Sequence, residues 1–136
     1  MKRCDKLTFD IIVNKKIKEK FDDFRQNGRI LFFGAPCGFG KTSVAKELLK
    51  GTDGVFEISG EDFDFGALNK NVWEVLLIDD LQFMDKREQQ QELCTLIREN
   101  PSKRFVLLSR GIPPGCLMPF KYSGLMYTVE SNDMFV

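Results

Sequence analysis

The chain has 136 residues, 43% of them apolar and 29% charged, with 20 Lys or Arg balancing 20 Asp or Glu. This length and mix describe one globular domain with its own hydrophobic core, and exclude disordered and fibrous classes. A formal charge of zero points to no polyanionic partner, and no apolar run approaches the length of a membrane span.

Residues 1–29 hold nine Lys or Arg against five Asp or Glu, a net of +4 that reads as a solvated helical face rather than a nucleic-acid arm. The start, Met-Lys-Arg-Cys-Asp-Lys, lacks the apolar stretch of a signal peptide, so the expected setting is cytoplasmic, without membrane contact. Leu7 to Val13 is β-prone. Asn14 is placed to cap a helix running to about Asn27, with Ile17, Phe21 and Phe24 on one face and Gly28 closing it. Ile30-Leu-Phe-Phe33 is short, apolar and rich in strand formers, as a buried parallel strand is. Ser43 to Lys50 carries Val44, Ala45, Leu48 and Leu49 at helical spacing, with Gly51 as C-cap.

Gly54 to Ser59 is a second strand, and Gly60 to Asn71 reads as polar and irregular with Phe63, Phe65 and Leu68 as anchors. Glu74 to Ile78 is a third strand. Asp85 and Glu88 form a D-x-x-E capping box for a helix that ends near Asn100, before Pro101, with Leu93, Leu96 and Ile97 as its buried stripe. Arg104 to Leu108 and Leu125 to Val129 complete the strands. Strands alternating with helices predict an α/β domain spanning residues 1–136, with about five parallel strands flanked by helices. In such sheets ligands bind beyond the carboxyl ends of the strands.

One loop at such an end carries the chemistry. Ala35-Pro-Cys-Gly-Phe-Gly-Lys-Thr42 has the spacing of a phosphate-binding P-loop, with Ala35 at the first glycine of the strict pattern. Strand, loop and helix are the context this motif needs. Residues 36–43 (Pro36, Cys37, Gly38, Phe39, Gly40, Lys41, Thr42 and Ser43) would surround a phosphate at a helix N-terminus, all but Pro36 offering a backbone N–H, and the helix dipole adds positive charge there. Gly38 and Gly40 permit the tight turn and close backbone approach. Lys41 would reach the β- and γ-phosphates, and the Thr42 hydroxyl would bind Mg²⁺. The fold class is therefore that of a P-loop NTPase, with a phosphate-bearing nucleotide and Mg²⁺ as expected ligands. The four cysteines (Cys4, Cys37, Cys94, Cys116) form no C-x-x-C pair, and the chain has no histidine, so a zinc site is not suggested.

The third strand ends Val75-Leu-Leu-Ile-Asp79-Asp80, the Walker B pattern of apolar residues followed by acid. Asp79 would hold the metal opposite Thr42, and Asp80 would orient or deprotonate an attacking water. The fourth strand ends in Ser109-Arg110, where a guanidinium can register a γ-phosphate through charge-assisted bonds. Lys41, Asp80 and Arg110 are thus the candidate catalytic residues, and Thr42 and Asp79 the metal ligands.

With these residues assembled, the chain resembles the nucleotide-binding domain of the STAND-class signal-transduction ATPases, a branch related to AAA+ proteins, and within it the LuxR/MalT-type transcriptional regulators. The loop Ala35 to Thr42 is similar to that family's A-P-A-G-x-G-K-T. Leu77-Ile-Asp-Asp-Leu-Gln82 is similar to its D-D-hydrophobic-[HQ] segment, and Leu107-Leu-Ser-Arg-Gly-Ile-Pro-Pro114 to its L-x-S-R-x-x-P-P, which there places the γ-phosphate-sensing arginine. Two departures stand out. About 14 residues separate the second and third strands, where the family carries several helices, and the family continues past the point of Val136 into a lid and further domains. The resemblance implies an N-terminal, monomeric fragment of a longer multidomain regulator that contacts DNA only through domains absent from this chain and that is able to oligomerise when whole. It implies an ATP/ADP switch with slow hydrolysis at most. Two other readings use the same loop: a small-molecule or nucleotide kinase, and a degenerate P-loop domain kept for protein contacts. A GTPase is disfavoured, because Asn69-Lys70-Asn71-Val72 lacks the aspartate of the guanine-reading N-K-x-D element.

Overall fold

A computed structural model describes residues 15–34, 41–68 and 72–130. The first helix, α1 (Lys15–Asn27), buries Ile17, Phe21 and Phe24, spaced four and three residues apart on one stripe. The N–H of Gly28 then donates back to the Phe24 carbonyl at 2.9 Å, which ends the helix. The lead-in at 7–13 and the cap expected at Asn14 lie outside the described residues.

Five strands form one sheet: β1 (Ile30–Gly34), β2 (Val55–Ser59), β3 (Val75–Asp79), β4 (Arg104–Ser109) and β5 (Met126–Glu130). Their spatial order is β2-β3-β4-β1-β5, and every pairing is parallel. The predicted α/β class with a five-stranded parallel sheet is therefore the observed one. The central strands are apolar because both their faces are covered, and the edge strands β2 and β5 are only partly buried.

Alternation along each strand divides the core in two. Leu31, Phe33, Leu77, Val106 and Leu108 face α1 and α2 (Lys41–Leu48), which contributes Val44 and Ala45. Ile30, Phe32, Leu76, Ile78, Phe105 and Leu107 face the opposite layer. That layer consists of a single turn α3 (Phe65–Leu68), the helix α4 (Arg87–Glu99) and the short α5 (Met118–Tyr122). Trp73 closes it, edge-on to Phe105 with ring centroids 5.6 Å apart, its indole N–H donating to the Leu68 carbonyl at 3.3 Å.

Three local expectations are corrected. The N-cap of α4 is Lys86, one residue beyond the predicted Asp85, and the Lys86 N–H donates to the Gln89 side-chain oxygen at 3.3 Å. Burial of Met84 and the bond from the Gln90 side-chain amide to its carbonyl (3.0 Å) set the start of the helix, which overrides the D-x-x-E signal. The buried stripe of α4 is Leu93, Cys94 and Ile97, with Leu96 only partly covered. The segment from Gly60, read as irregular, contains a 3₁₀ turn at Gly60–Asp62 and α3, and a 3₁₀ turn at Gly115–Leu117 leads into α5. All are short; buried Leu68, Leu117 and Phe120 anchor α3, the Gly115–Leu117 turn and α5, without helical periodicity.

Candidate functional site

The P-loop motif is flanked as its mechanism requires, by the carboxyl end of β1 at Gly34 and by the start of α2 at Lys41. Pro36, Cys37, Gly38, Phe39 and Gly40 lie outside the described residues, and of Lys41 only the helical backbone is described. Thr42, in the first turn of α2, is half-buried, and Ser43 is exposed.

Parallel register brings the other candidates to the same end. Gly34 pairs with Ser109, and Ser59 with Asp79, so the tips of β1, β3 and β4 align. The Thr42 hydroxyl there faces the Asp79 carboxylate, 3.3 Å from Oδ2 and 3.5 Å from Oδ1. Asp79 Oδ1 also accepts the N–H of Asp80 at 2.8 Å, which pins the carboxylate toward α2.

Asp80 turns the chain sharply off β3. It adopts a left-handed conformation (φ 56°, ψ 47°), the sole positive φ outside glycine among the described residues. Asp tolerates that region better than most residues, and such backbone strain clusters at functional sites. Gly60, at the end of β2, leaves room for the turn: a Cβ there would come within 2.5 Å of the Asp80 carbonyl oxygen.

The chain continues into a 3₁₀ turn, Leu81–Phe83, that holds two side chains against the tip of β4. The Gln82 amide donates to Asp80 Oδ1 at 3.2 Å, while its oxygen accepts the backbone N–H of Arg110 at 3.1 Å. The Arg110 guanidinium lies over the Phe83 ring, 5.8 Å from its centroid. Arg110 follows the last residue of β4, Ser109, which is buried and whose hydroxyl accepts the Gly111 N–H at 3.2 Å. A bonded path thus runs from α2 through Thr42, Asp79, Asp80 and Gln82 to Arg110. An open cleft of about 420 Å³ adjoins it, bounded by Leu81, Met84 and Gln90 on one side and by Ile112, Pro113 and Pro114 on the other.

A hydroxyl and a carboxylate are hard oxygen donors, suited to Mg²⁺, which takes one or two carboxylates and fills its shell with waters and substrate phosphates. No group of three or more His, Cys, Asp or Glu side chains among the described residues forms a cation cage. The donor set therefore fits a cation that arrives with phosphates.

No protein-family model and no curated protein matches the chain. Solved structures do. The Thermotoga maritima RuvB Holliday junction branch migration motor shares 19% identity at a TM-score of 0.57, over 89% of this chain and 46% of that one. Caenorhabditis elegans PCH-2 shares 14% at 0.54, over 91% and 46%, and a chain of the Drosophila ORC bound to AT-rich DNA and Cdc6 shares 12% at 0.55, over 96% and 60%. These likenesses show the fold, the α/β fold of P-loop NTPases with a five-stranded parallel sheet flanked by helices. This chain spans about half the length of those relatives.

Within this fold, the structure brings Thr42, Asp79, Asp80 and Arg110 to one end of the sheet. Two neighbours were not among the predicted site residues. Gln82 was legible only as the last letter of the segment that ends in [HQ], and Phe83 carries no motif signal. Among the described residues no helix is long and apolar enough to cross a membrane.

Proposed function

We propose that the chain binds ATP and ADP with Mg²⁺ at the carboxyl end of its sheet and acts as a switch, hydrolysing ATP slowly at most. The observation that carries this reading is the convergence of the Thr42 hydroxyl with the Asp79 carboxylate, across 37 residues of sequence, beside a P-loop motif. The P-loop NTPase fold supports it independently.

In this reading residues 36–43 surround the phosphates, and Lys41 neutralises their charge. Thr42 and Asp79 hold the cation, which when bound supplies Lewis-acid stabilisation of phosphoryl charge. Asp80 accepts a proton from, or orients, a water at the γ-phosphate, and Arg110 swings from Phe83 to register that phosphate. Arg110 is exposed on its aromatic shelf, and a cation–π contact of about 0.5–1 kcal/mol is weak enough to give way to a charge-assisted bond. Asp80 is a base of short reach, so fast turnover is not expected.

The finer assignment is the nucleotide domain of a STAND-class, LuxR/MalT-type transcription regulator. It rests on the three similar segments at residues 35–42, 77–82 and 107–114, with DNA contacted through domains outside this chain. We further place the chain in the cytoplasm, as a monomer when isolated. A small-molecule kinase is the alternative, and one observation favours it: the 420 Å³ cleft beside Arg110 is large enough for a phosphoryl acceptor.

Calorimetry with Mg-ATP tests the reading. The wild type binds, and Lys41→Ala weakens binding by about 1–3 kcal/mol, the scale of lost hydrogen bonds to a charged group. Equal affinities, or no binding by a folded wild type, would remove the assignment. Phosphate release should stay far below about one per second. Transfer of phosphate to a small acceptor would favour the kinase instead.

A further inference from the structure

The turn after β3 holds Arg110 by both its ends, through Gln82 at the backbone and Phe83 at the guanidinium. Gln82 is half-buried, and it is the link that joins Asp80 to the β4 tip. We infer that Gln82 is a positioning residue: its side-chain amide locks the Asp80 carboxylate and the Arg110 backbone into one arrangement, so that movement of either is felt by the other.

The chemistry of the link is specific. Asp80 needs a donor and the Arg110 N–H needs an acceptor, and both must come from one side chain of the right reach. A primary amide supplies one of each from a single rigid plane. The observed orientation satisfies both bonds at once, whereas a flipped amide would set oxygen against carboxylate and N–H against N–H. A glutamate could accept from Arg110 but would repel Asp80. A neutral imidazole also carries one donor and one acceptor, so histidine is the substitute that should preserve the link.

The consequence depends on the nucleotide reading above. With Arg110 on Phe83, the amide holds Asp80 back against its own turn. When Arg110 is drawn toward a γ-phosphate, its N–H shifts relative to Gln82, and the hold on Asp80 changes with it. Asp80 would then be set for water only in the triphosphate state. ADP, lacking the γ-phosphate, would leave the arrangement as it stands.

Two measurements separate this inference from the reading it rests on. The first needs no nucleotide. Amide hydrogen exchange and the NMR shift of the Arg110 N–H are recorded in the folded wild type and in Gln82→Ala, Gln82→Glu and Gln82→His. Loss of one bond should lower Arg110 protection about five- to tenfold in Gln82→Ala, and Gln82→His should recover most of it. Asp80→Asn should shift the Arg110 amide in the wild-type background and not in Gln82→Ala. An Arg110 amide indifferent to Gln82→Ala, or a Gln82→His no better than Gln82→Ala, would overturn the link.

The second measurement compares Mg-ATP and Mg-ADP affinities. Gln82→Ala should reduce the preference for ATP over ADP about fivefold, and Gln82→His should restore it. A general packing role would lower both affinities together, and that result would refute the coupling to the phosphate. If the wild type bound neither nucleotide while the amide link behaved as described, the nucleotide reading would fail and the positioning role of Gln82 would stand.

Discussion

Replacing Gly60 by alanine should distort the turn that carries Asp80, and the size of the effect can be worked from the contacts. The added Cβ would lie 2.5 Å from the Asp80 carbonyl oxygen, 3.1 Å from its carbonyl carbon and 3.2 Å from Leu81 Cα. All three are backbone atoms, so no side chain can rotate away. Reaching an ordinary contact of at least 3.4 Å means separating the ends of β2 and β3 by most of an ångström. Those ends are tied by the parallel β2–β3 ladder, which pairs Ser59 with Asp79. Overpacking of this kind costs about 1–3 kcal/mol, which for a domain of this size lowers Tm by roughly 4–12 °C. Gly111→Ala is the control, since a Cβ there meets nothing within 4 Å and its φ is not positive. Thermal and guanidinium unfolding of both variants, followed by titration with Mg-ATP, reads the outcome. Gly60→Ala should be the less stable of the two and should bind more weakly, because Asp79 and Asp80 move together through their 2.8 Å bond. If the two variants unfolded alike, the close approach of Gly60 to Asp80 would be wrong, and with it the account of how the turn is accommodated.

Two further outcomes concern parts of the molecule away from the phosphate end. Burial, with the 2.6 Å contact to Cys116 adding to it, pushes the Cys94 thiol up to about 12 from an ordinary 9.0. Above pH 9 the unfolded chain sheds this proton while the folded chain keeps it, so this group's contribution to stability declines from about pH 9 to about pH 12. Guanidinium unfolding between pH 8 and 10.5 should show the decline, smaller in Cys94→Ala, and in the native protein alkylation of Cys94 at pH 8 should wait for unfolding. Arg29 caps the carboxyl end of α4 by donating to the carbonyls of Ile97, Asn100 (2.7 Å) and Lys103 (3.2 Å). Arg29→Met should cost about 2–3 kcal/mol, and Arg29→Lys should recover only part, since an ammonium cannot span three carbonyls. Full recovery by lysine would show that charge alone matters there.

Much of the fold and some of the site could be read from residue order because the signals involved are local. A strand buried on both faces must be an unbroken apolar run, so Leu31 to Phe33, Val75 to Ile78 and Phe105 to Leu108 announce themselves. A phosphate loop needs its glycines, lysine and threonine in fixed succession, and the acids of Asp79-Asp80 must follow a strand. Helix α1 betrayed its buried face by the spacing of Ile17, Phe21 and Phe24. What local order cannot encode is which distant backbones become neighbours. The β2-β3-β4-β1-β5 order brings Thr42 to Asp79 and the turn after β3 to Arg110, and it makes Gln82 a bridge. The same packing brings buried Cys94 against Cys116, 22 residues away, a contact their spacing does not encode. It shifted the start of α4 from the predicted cap to Lys86, because burying Met84 outweighs one side-chain cap. Periodicity and motif spacing are properties of neighbouring residues, so the sequence alone determined the elements and the chemical vocabulary. Pair distances between remote residues arise only when the sheet closes and its two layers exclude water, and that tertiary step decided which of those groups meet.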